Sequence, residues 1–342
     1  MQPCRLTDPA VIMEHPSGSR SADAMTEPAP IRRPLTRELE DAGSPVRQFL
    51  DARFTSGLRD VQRRYRKSAP PLAVPAVPRA EADPGTVGTA ADWLLRFLIC
   101  PQPELHLVMA GAAACRKAGI DVAPALAGIA GALGVPLPAR PPERVRVFTG
   151  PVPGSAADPR LLARSCWALA LLTEAFRAGP VIAARGPLGR FRGGSVSGDD
   201  LLGLAPPAGL TQLAEFRHVF ETALLPQLAA RTGPWALGPT FAGSQLIKAD
   251  ADLIAAGLLL ELKTSAKLSL GITDLLQVIG YALLDFDDDY RVAELGIFAA
   301  RYGYLATWEL GALLSELAGH EISVQSARDE FRGFLFACAD AG

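Results

Sequence analysis

The amino-acid sequence predicts an α/β fold: a large, mainly helical N-terminal region followed by a mixed β-sheet built late in the 342-residue chain. Three observations predict it. Up to about residue 235 the apolar residues recur at helical spacing, as in Trp93, Leu94, Phe97 and Leu98. From about residue 236 short apolar runs broken by a glycine turn read as strands. A helical run from about Ile272 to Phe286 then precedes one more strand, Glu294 to Ala300, apolar on both faces and suited to the interior of a mixed sheet.

Residues 1–34 are rich in Pro, Ser and small side chains without periodicity, so they are expected to be disordered. Ser44-Pro45 is a cap followed by proline at the first helical position, which starts a helix to about Phe54. Arg59 to Lys67 is the most basic stretch, and 68–86 is a Pro/Ala linker. Gly88-Thr89 is a plausible helix entry, and further helices are expected near 104–118, 122–133, 159–178 and 210–230. A weak strand is read near 237–242. Leu246 to Ile254 and Leu258 to Lys263 are two strands joined through Ala256-Gly257. Thr273 is read as the cap of the helix at 272–286, and Thr307 as the cap of another running to about Leu317. A last amphipathic helix spans 323–338. The organisation is therefore a disordered segment (1–34), a helical region (35–209), an α/β core (210–306) and C-terminal helices (307–342).

Lys and Arg number 34 against 36 Asp and Glu, a formal net charge of −2. That excludes a generally basic nucleic-acid binder but leaves room for a locally charged cleft. The longest uncharged stretch, 122–139, is broken by Pro and Gly and is a poor membrane helix, so no membrane partner is expected. The N-terminus does not read as a secretory signal. The five cysteines are scattered, read as reduced thiols of a cytoplasmic protein, and with four isolated histidines they disfavour zinc or iron–sulfur sites. The chain has 29 Arg, 5 Lys and no Asn, so arginine is the default cation. Three of the five lysines nevertheless fall at 248, 263 and 267.

The chemistry is read from the hairpin. With a two-residue turn at Ala256-Gly257, Asp252 stands directly opposite Glu261, about 5 Å apart at Cβ. Strand alternation puts Asp250, Asp252, Glu261 and Lys263 on one face. Opposed carboxylates repel unless a cation sits between them, and oxygen ligands without His or Cys suit a hard ion, Mg²⁺ or Mn²⁺. Lysine beside them is a compact cation that guanidinium replaces poorly.

Asp252, Glu261-Leu262-Lys263, and Gln277 with Tyr281 as Q-x-x-x-Y on the next helix resemble the PD-(D/E)XK nuclease superfamily, most of all its RecB-type and Cas4-like branch without iron–sulfur cysteines. The resemblance covers 210–306 at most and is sharp from 250 to 281. Ala251 stands where the name's proline would be. It implies a restriction-endonuclease-like core (helix, three strands, helix, strand) and a Mg²⁺-dependent phosphodiester hydrolase acting on nucleic acid, DNA in the first instance. It further implies that Asp252, Glu261 and the Leu262 carbonyl ligate the metal, with Asp250 a second ligand or the true first one. Lys263 would position and activate water, and Gln277 and Tyr281 would brace the site. A further acid would come from Glu215, Glu221 or Asp92. The alternative is a catalytically inactive nuclease-like domain that binds nucleic acid or a protein partner, the latter through the helical N-terminal region.

Other features have plainer readings. Arg63, Arg64, Arg66 and Lys67 read as a solvated helix face, with phosphate contact as the functional alternative. The Gly-rich 185–200 loop reads as a connector that lacks the P-loop pattern, with Arg190 and Arg192 as alternative nucleic-acid contacts. Asp285, Asp287, Asp288 and Asp289 read as a solvated turn, and the four tryptophans as core.

Overall fold

The computed structural model describes residues 31, 33–138, 145–150, 154–194 and 196–340. Of the 1–34 segment expected to be disordered, 1–30 and 32 lie outside the described residues, as does Ser195 of the Gly-rich loop. Ile31 pairs with Ile247 and Arg33 with Asp41, so the end of that segment is ordered by backbone and ion-pair contacts.

Six strands form one sheet in the order β1 (Val147–Thr149), β2 (Pro234–Leu237), β3 (Leu253–Ala255), β4 (Leu258–Lys263), β5 (Glu294–Ala299) and β6 (Tyr304–Glu309). Neighbours are antiparallel except β4 and β5, which are parallel, so the sheet is mixed as expected. The parallel pair requires a long crossover, and helix 272–284 supplies it.

Helices cover both faces. α1 (Leu35–Glu40), α2 (Pro45–Arg53) and α3 (Leu58–Lys67) lead into α4 (Pro84–Ile99), α5 (His106–Lys117) and α6 (Ala123–Leu133). α7 (Pro159–Ala178), α8 (Pro180–Arg185), α9 (Gly198–Leu202), α10 (Pro207–Val219) and α11 (Leu225–Ala229) follow, then α12 (Ile272–Leu284), α13 (Leu310–Ala318) and α14 (Val324–Asp340). Ser44, Asp83 and Asp158 each cap a helix whose first residue is proline, satisfying amide groups that have no partner inside the helix. Between α10 and α11 the chain makes a π-turn at Phe220–Leu224, next to Pro226, whose ring cannot continue a regular helix ladder.

Strand alternation sorts the core into two. Leu258, Leu260 and Leu262 of β4, with Trp235 and Phe298, pack against α4, α5, α6, α7 and α10. Leu259, with Ala236, Ile254, Leu295 and Ile297, packs against α1, α2, α12, α13 and α14. The first helices and the crossover helix therefore share one core, and β1 extends the sheet from the middle of the helical region.

Several boundaries differ from expectation. The segment 246–252 is not strand, because its backbone pairs elsewhere: the Ile31 and Leu35 amides donate to the Leu246 and Lys248 carbonyls. β2 ends at Leu237 because Gly238 adopts φ +60° and Pro239 brings no donor. Asp83, not Gly88, opens α4. Gly271 is the cap position of α12 instead of Thr273, and the Asp274 carboxylate accepts its N–H at 2.8 Å. Thr307 lies inside β6, an aromatic edge strand, and α13 starts only after Glu309, whose carboxylate accepts the Gly311 and Ala312 amides.

Candidate active site

The hairpin register is the expected one. Leu253 pairs with Leu260, Ile254 with Leu259 and Ala255 with Leu258, so Asp252 falls opposite Glu261. Ala256 (φ +49°) and Gly257 (φ +83°) make the turn, both left-handed as a type I′ hairpin requires. Ala256 adopts this conformation at a steric cost that glycine avoids.

Asp252 and Glu261 sit where β3 begins and β4 ends. The Asp252 carboxylate accepts the Leu262 N–H at 2.7 Å. Glu261 is 7% exposed, and its Oε1 accepts from Gln277 Nε2 at 2.8 Å and from Lys263 Nζ at 3.4 Å. Lys263 Nζ also donates to Gln277 Oε1 at 2.8 Å and lies 3.3 Å from Asp274 Oδ1. The Tyr281 hydroxyl accepts from Gln277 Nε2 at 2.8 Å, and its ring stacks on Phe241. Gln277 therefore uses both ends of its amide, accepting a hydrogen bond from the lysine and donating hydrogen bonds to the glutamate and the tyrosine. The four-residue spacing of Gln277 and Tyr281 puts them on one face of α12, the face turned to the end of β4.

The structure thus brings Glu261, Lys263, Gln277 and Tyr281 into direct contact, with Asp252 beside them. Leu262 contributes backbone only, since its side chain belongs to the opposite core. Asp250 is exposed and forms an isolated bridge with Thr240, but its charge still acts on Glu261 and Tyr281. Of the three further acids considered, Asp92 on α4 pairs with Arg96 at 2.9 Å, and its charge adds to the rise of the Asp252 and Glu261 carboxyls. Glu215 is hydrogen-bonded to Gln212, and Glu221 pairs with Arg217.

The electrostatics follow from burial and crowding. Burial raises the Asp252 carboxyl well above the usual range, and Glu261 and Asp92 push it further against the opposing Leu262 N–H and Arg96. Burial likewise raises Glu261, with Lys263 opposing and Asp250 and Asp92 adding. For Lys263, burial alone would lower the pKa, but Glu261, Asp274 and Asp252 outweigh it and raise it, so the ammonium is held charged. Burial raises Tyr281, and Glu261 and Asp250 add to the rise, so its hydroxyl stays neutral.

Three residues escaped the sequence reading. Asp274 holds Lys263 while capping its own helix; an acid at the third position of a helix that starts at glycine is its only sequence trace. Arg96, 4% exposed, pairs with Asp92 at 2.9 Å and lies against Gly238. Burial would lower its pKa, but Asp92, Asp252 and Asp250 raise it. Its trace was an i,i+4 ion pair on an otherwise apolar helix. α4 comes this close because Gly88 has no Cβ; one would stand 2.8 Å from Thr264 Oγ1. Buried Arg301 donates to the Thr264, Val74 and Pro75 carbonyls and to Gln212, tying the end of β4 to the segment between α3 and α4.

Among the described residues, no three His, Cys, Asp or Glu side chains stand together as a cage for an ion. Two carboxylates and a backbone carbonyl at the Asp252, Glu261 and Leu262 position match what Mg²⁺ takes from protein, because it keeps several waters and needs only one or two carboxylates. Among the described residues, no helix is long and apolar enough to cross a membrane. No family model, curated protein or solved structure matches this chain.

Proposed function

We propose that the chain is a metal-dependent nuclease that hydrolyses phosphodiester bonds of nucleic acid, DNA in the first instance, with Mg²⁺ or Mn²⁺. The observation that carries this is the gathering of Asp252, Glu261 and Lys263 at one strand end, braced by Gln277 and Tyr281. It also supports a restriction-endonuclease-like core, since three antiparallel strands, a crossover helix and a parallel strand are the order that resemblance implies.

Asp252, Glu261 and the Leu262 carbonyl would hold the cation, which when bound polarises a phosphoryl oxygen and acidifies a water. The protein's own groups do the rest. Lys263 presents a charged ammonium to the water and to the charge that develops on the phosphorus oxygens. Gln277 aims that ammonium by accepting one of its protons, and Asp274 holds it from the other side. Tyr281 fixes the amide of Gln277. Asp92 adds negative potential for a second ion or a proton, and Arg96 keeps Asp92 in place.

One observation favours the inactive alternative. Lys263 already offsets Glu261 and Asp274, so these acids have a counter-charge without a metal. The two readings separate on purified full chain incubated with single- and double-stranded DNA and Mg²⁺ or Mn²⁺. Cleavage that falls about 10²- to 10³-fold in Lys263→Ala and Glu261→Ala supports hydrolysis at this site. Cleavage unchanged in both variants removes it. Absence of cleavage together with absence of any metal-binding heat that depends on Asp252 favours the inactive domain.

A further inference from the structure

We infer that α3 and the loop between β4 and α12 form a basic ledge that carries the phosphate backbone of duplex DNA to the site. The inference rests on the nuclease reading for what stands at the ledge's end.

α3 holds Arg59, Arg63, Arg64, Arg66 and Lys67 against one acid, Asp60. Only Val61 and Tyr65 are buried, and the Tyr65 ring lies 5.2 Å from Tyr304 and 6.4 Å from Trp308, which fixes the roll of the helix. Gln62 then faces the loop and donates to the Leu270 carbonyl at 2.8 Å. At 3.6 residues per turn, Arg66, Arg59, Arg63 and Lys67 follow Gln62 in that order around the helix, away from Val61 and Tyr65. Arg64 lies on the other side and pairs with Glu316, while Arg63 pairs with Asp60. Arg59, Arg66 and Lys67 are exposed and make no ion pair among the described residues.

The loop adds Lys267, also exposed. Tyr302 pins the loop, its hydroxyl donating to the Ala266 carbonyl at 2.8 Å and accepting the Leu268 N–H at 3.2 Å. One residue beyond Leu270, Gly271 is held by Asp274, whose other oxygen is 3.3 Å from Lys263 Nζ. A continuous set of contacts therefore leads from the basic side of α3 to the ammonium of the site. Arg59 to Lys67 rises about 12 Å along the helix, against about 3.4 Å per phosphate of one DNA strand. Such a ledge reads phosphates, not bases. With a net formal charge of −2, the chain can attract DNA only through a local patch of this kind.

The test is fluorescence anisotropy of the full chain with a short labelled duplex, in EDTA so that nothing is cut, across a salt series. Arg59→Ala/Arg66→Ala/Lys67→Ala is expected to weaken binding roughly ten- to a hundredfold and to flatten the salt slope by about 2 to 3. Lys67→Ala alone, at the exposed helix end, should flatten it by about 1. The same number of cations removed from the far helical layer, Arg116→Ala/Lys117→Ala/Arg185→Ala, should leave both nearly unchanged. No binding by the unaltered chain at low salt, an unaltered slope in the ledge variants, or an equal loss in the far-layer variant overturns the ledge. Ledge-dependent binding by an unaltered chain that cuts no DNA with Mg²⁺ or Mn²⁺ supports the ledge while removing the nuclease reading.

Discussion

Two acidic clusters, each with one buried carboxylate, flank α12, and they differ in what surrounds the carboxylates. At the C-terminal end, Asp285 is 1% exposed and accepts the Asp289 and Tyr290 amides at 3.0 and 3.3 Å. Arg328, 3% exposed, lies 3.6 Å from it, donates to the Ala282 carbonyl and pairs with Asp288 at 2.8 Å. The buried carboxylate there faces a buried guanidinium of opposite charge and two backbone amides, and Arg328 fastens α14 to α12. The acid run expected as a solvated turn is thus partly a buried anchor. On the other side, Asp252 and Glu261 face each other, and Asp92 adds a further negative charge. Burial of an acid does not by itself mark a site. Like charges left facing one another single out a candidate site, because that arrangement costs stability unless a cation or proton offsets it.

The comparison can be broken in four ways. The largest effect is expected at the anchor. Arg328→Ala leaves Asp285 buried without its ion pair, which costs about 3–5 kcal/mol. Urea denaturation should show the loss while DNA cleavage at low temperature persists; a loss below 1 kcal/mol would mean that α14 is held by packing alone.

Next is pH. Burial, against the opposing Arg328 and Tyr290 N–H, raises the Asp285 pKa from 3.8 to about 6. A folded-state pKa above the unfolded one gives stability that is present in full below the unfolded value and lost as pH rises through about 6. The difference corresponds to about 3 kcal/mol. The part of the pH–stability curve between 4 and 6 that Asp285→Asn abolishes measures it.

Third, Asp252→Asn removes one of the opposed charges and keeps an oxygen for the Leu262 amide. It should stabilise the chain by about 1–2 kcal/mol at neutral pH while abolishing cleavage. A stability loss would mean that the carboxylate pair is structural, like the anchor. The smallest effect is Tyr281→Phe, which removes one hydrogen bond from Gln277 but leaves its contact with Glu261. About 1 kcal/mol of stability and a few-fold of cleavage rate should be lost. No change in either would mean that Gln277 is braced by Glu261 and Lys263 alone.

The hairpin was legible because a period-two pattern, a Gly turn and a register counted from it are local properties, and Asp252 opposite Glu261 followed from them. The facing of Gln277 and Tyr281 followed from helical spacing in the same way. The 246–252 segment and Thr307 were misjudged for one reason: β-propensity does not say which backbone is on hand to pair. Leu246 and Lys248 bond to Ile31 and to Leu35 at the start of α1, whereas Tyr304 to Glu309 found the free edge of β5.

What the sequence alone determined is therefore the mixed α/β class, the helical first part, and the placing of Asp252, Glu261, Lys263 and the Gln/Tyr pair together, while Asp250 fell on a segment that is not strand. What only the tertiary structure decided is which distant helices complete that face: Asp92 and Arg96 from α4, Asp274 from the cap of α12, and the basic side of α3 set beside the loop. Those placements depend on how close two segments far apart in the chain can approach, as at Gly88 against Thr264. Periodicity within one segment carries no information about that.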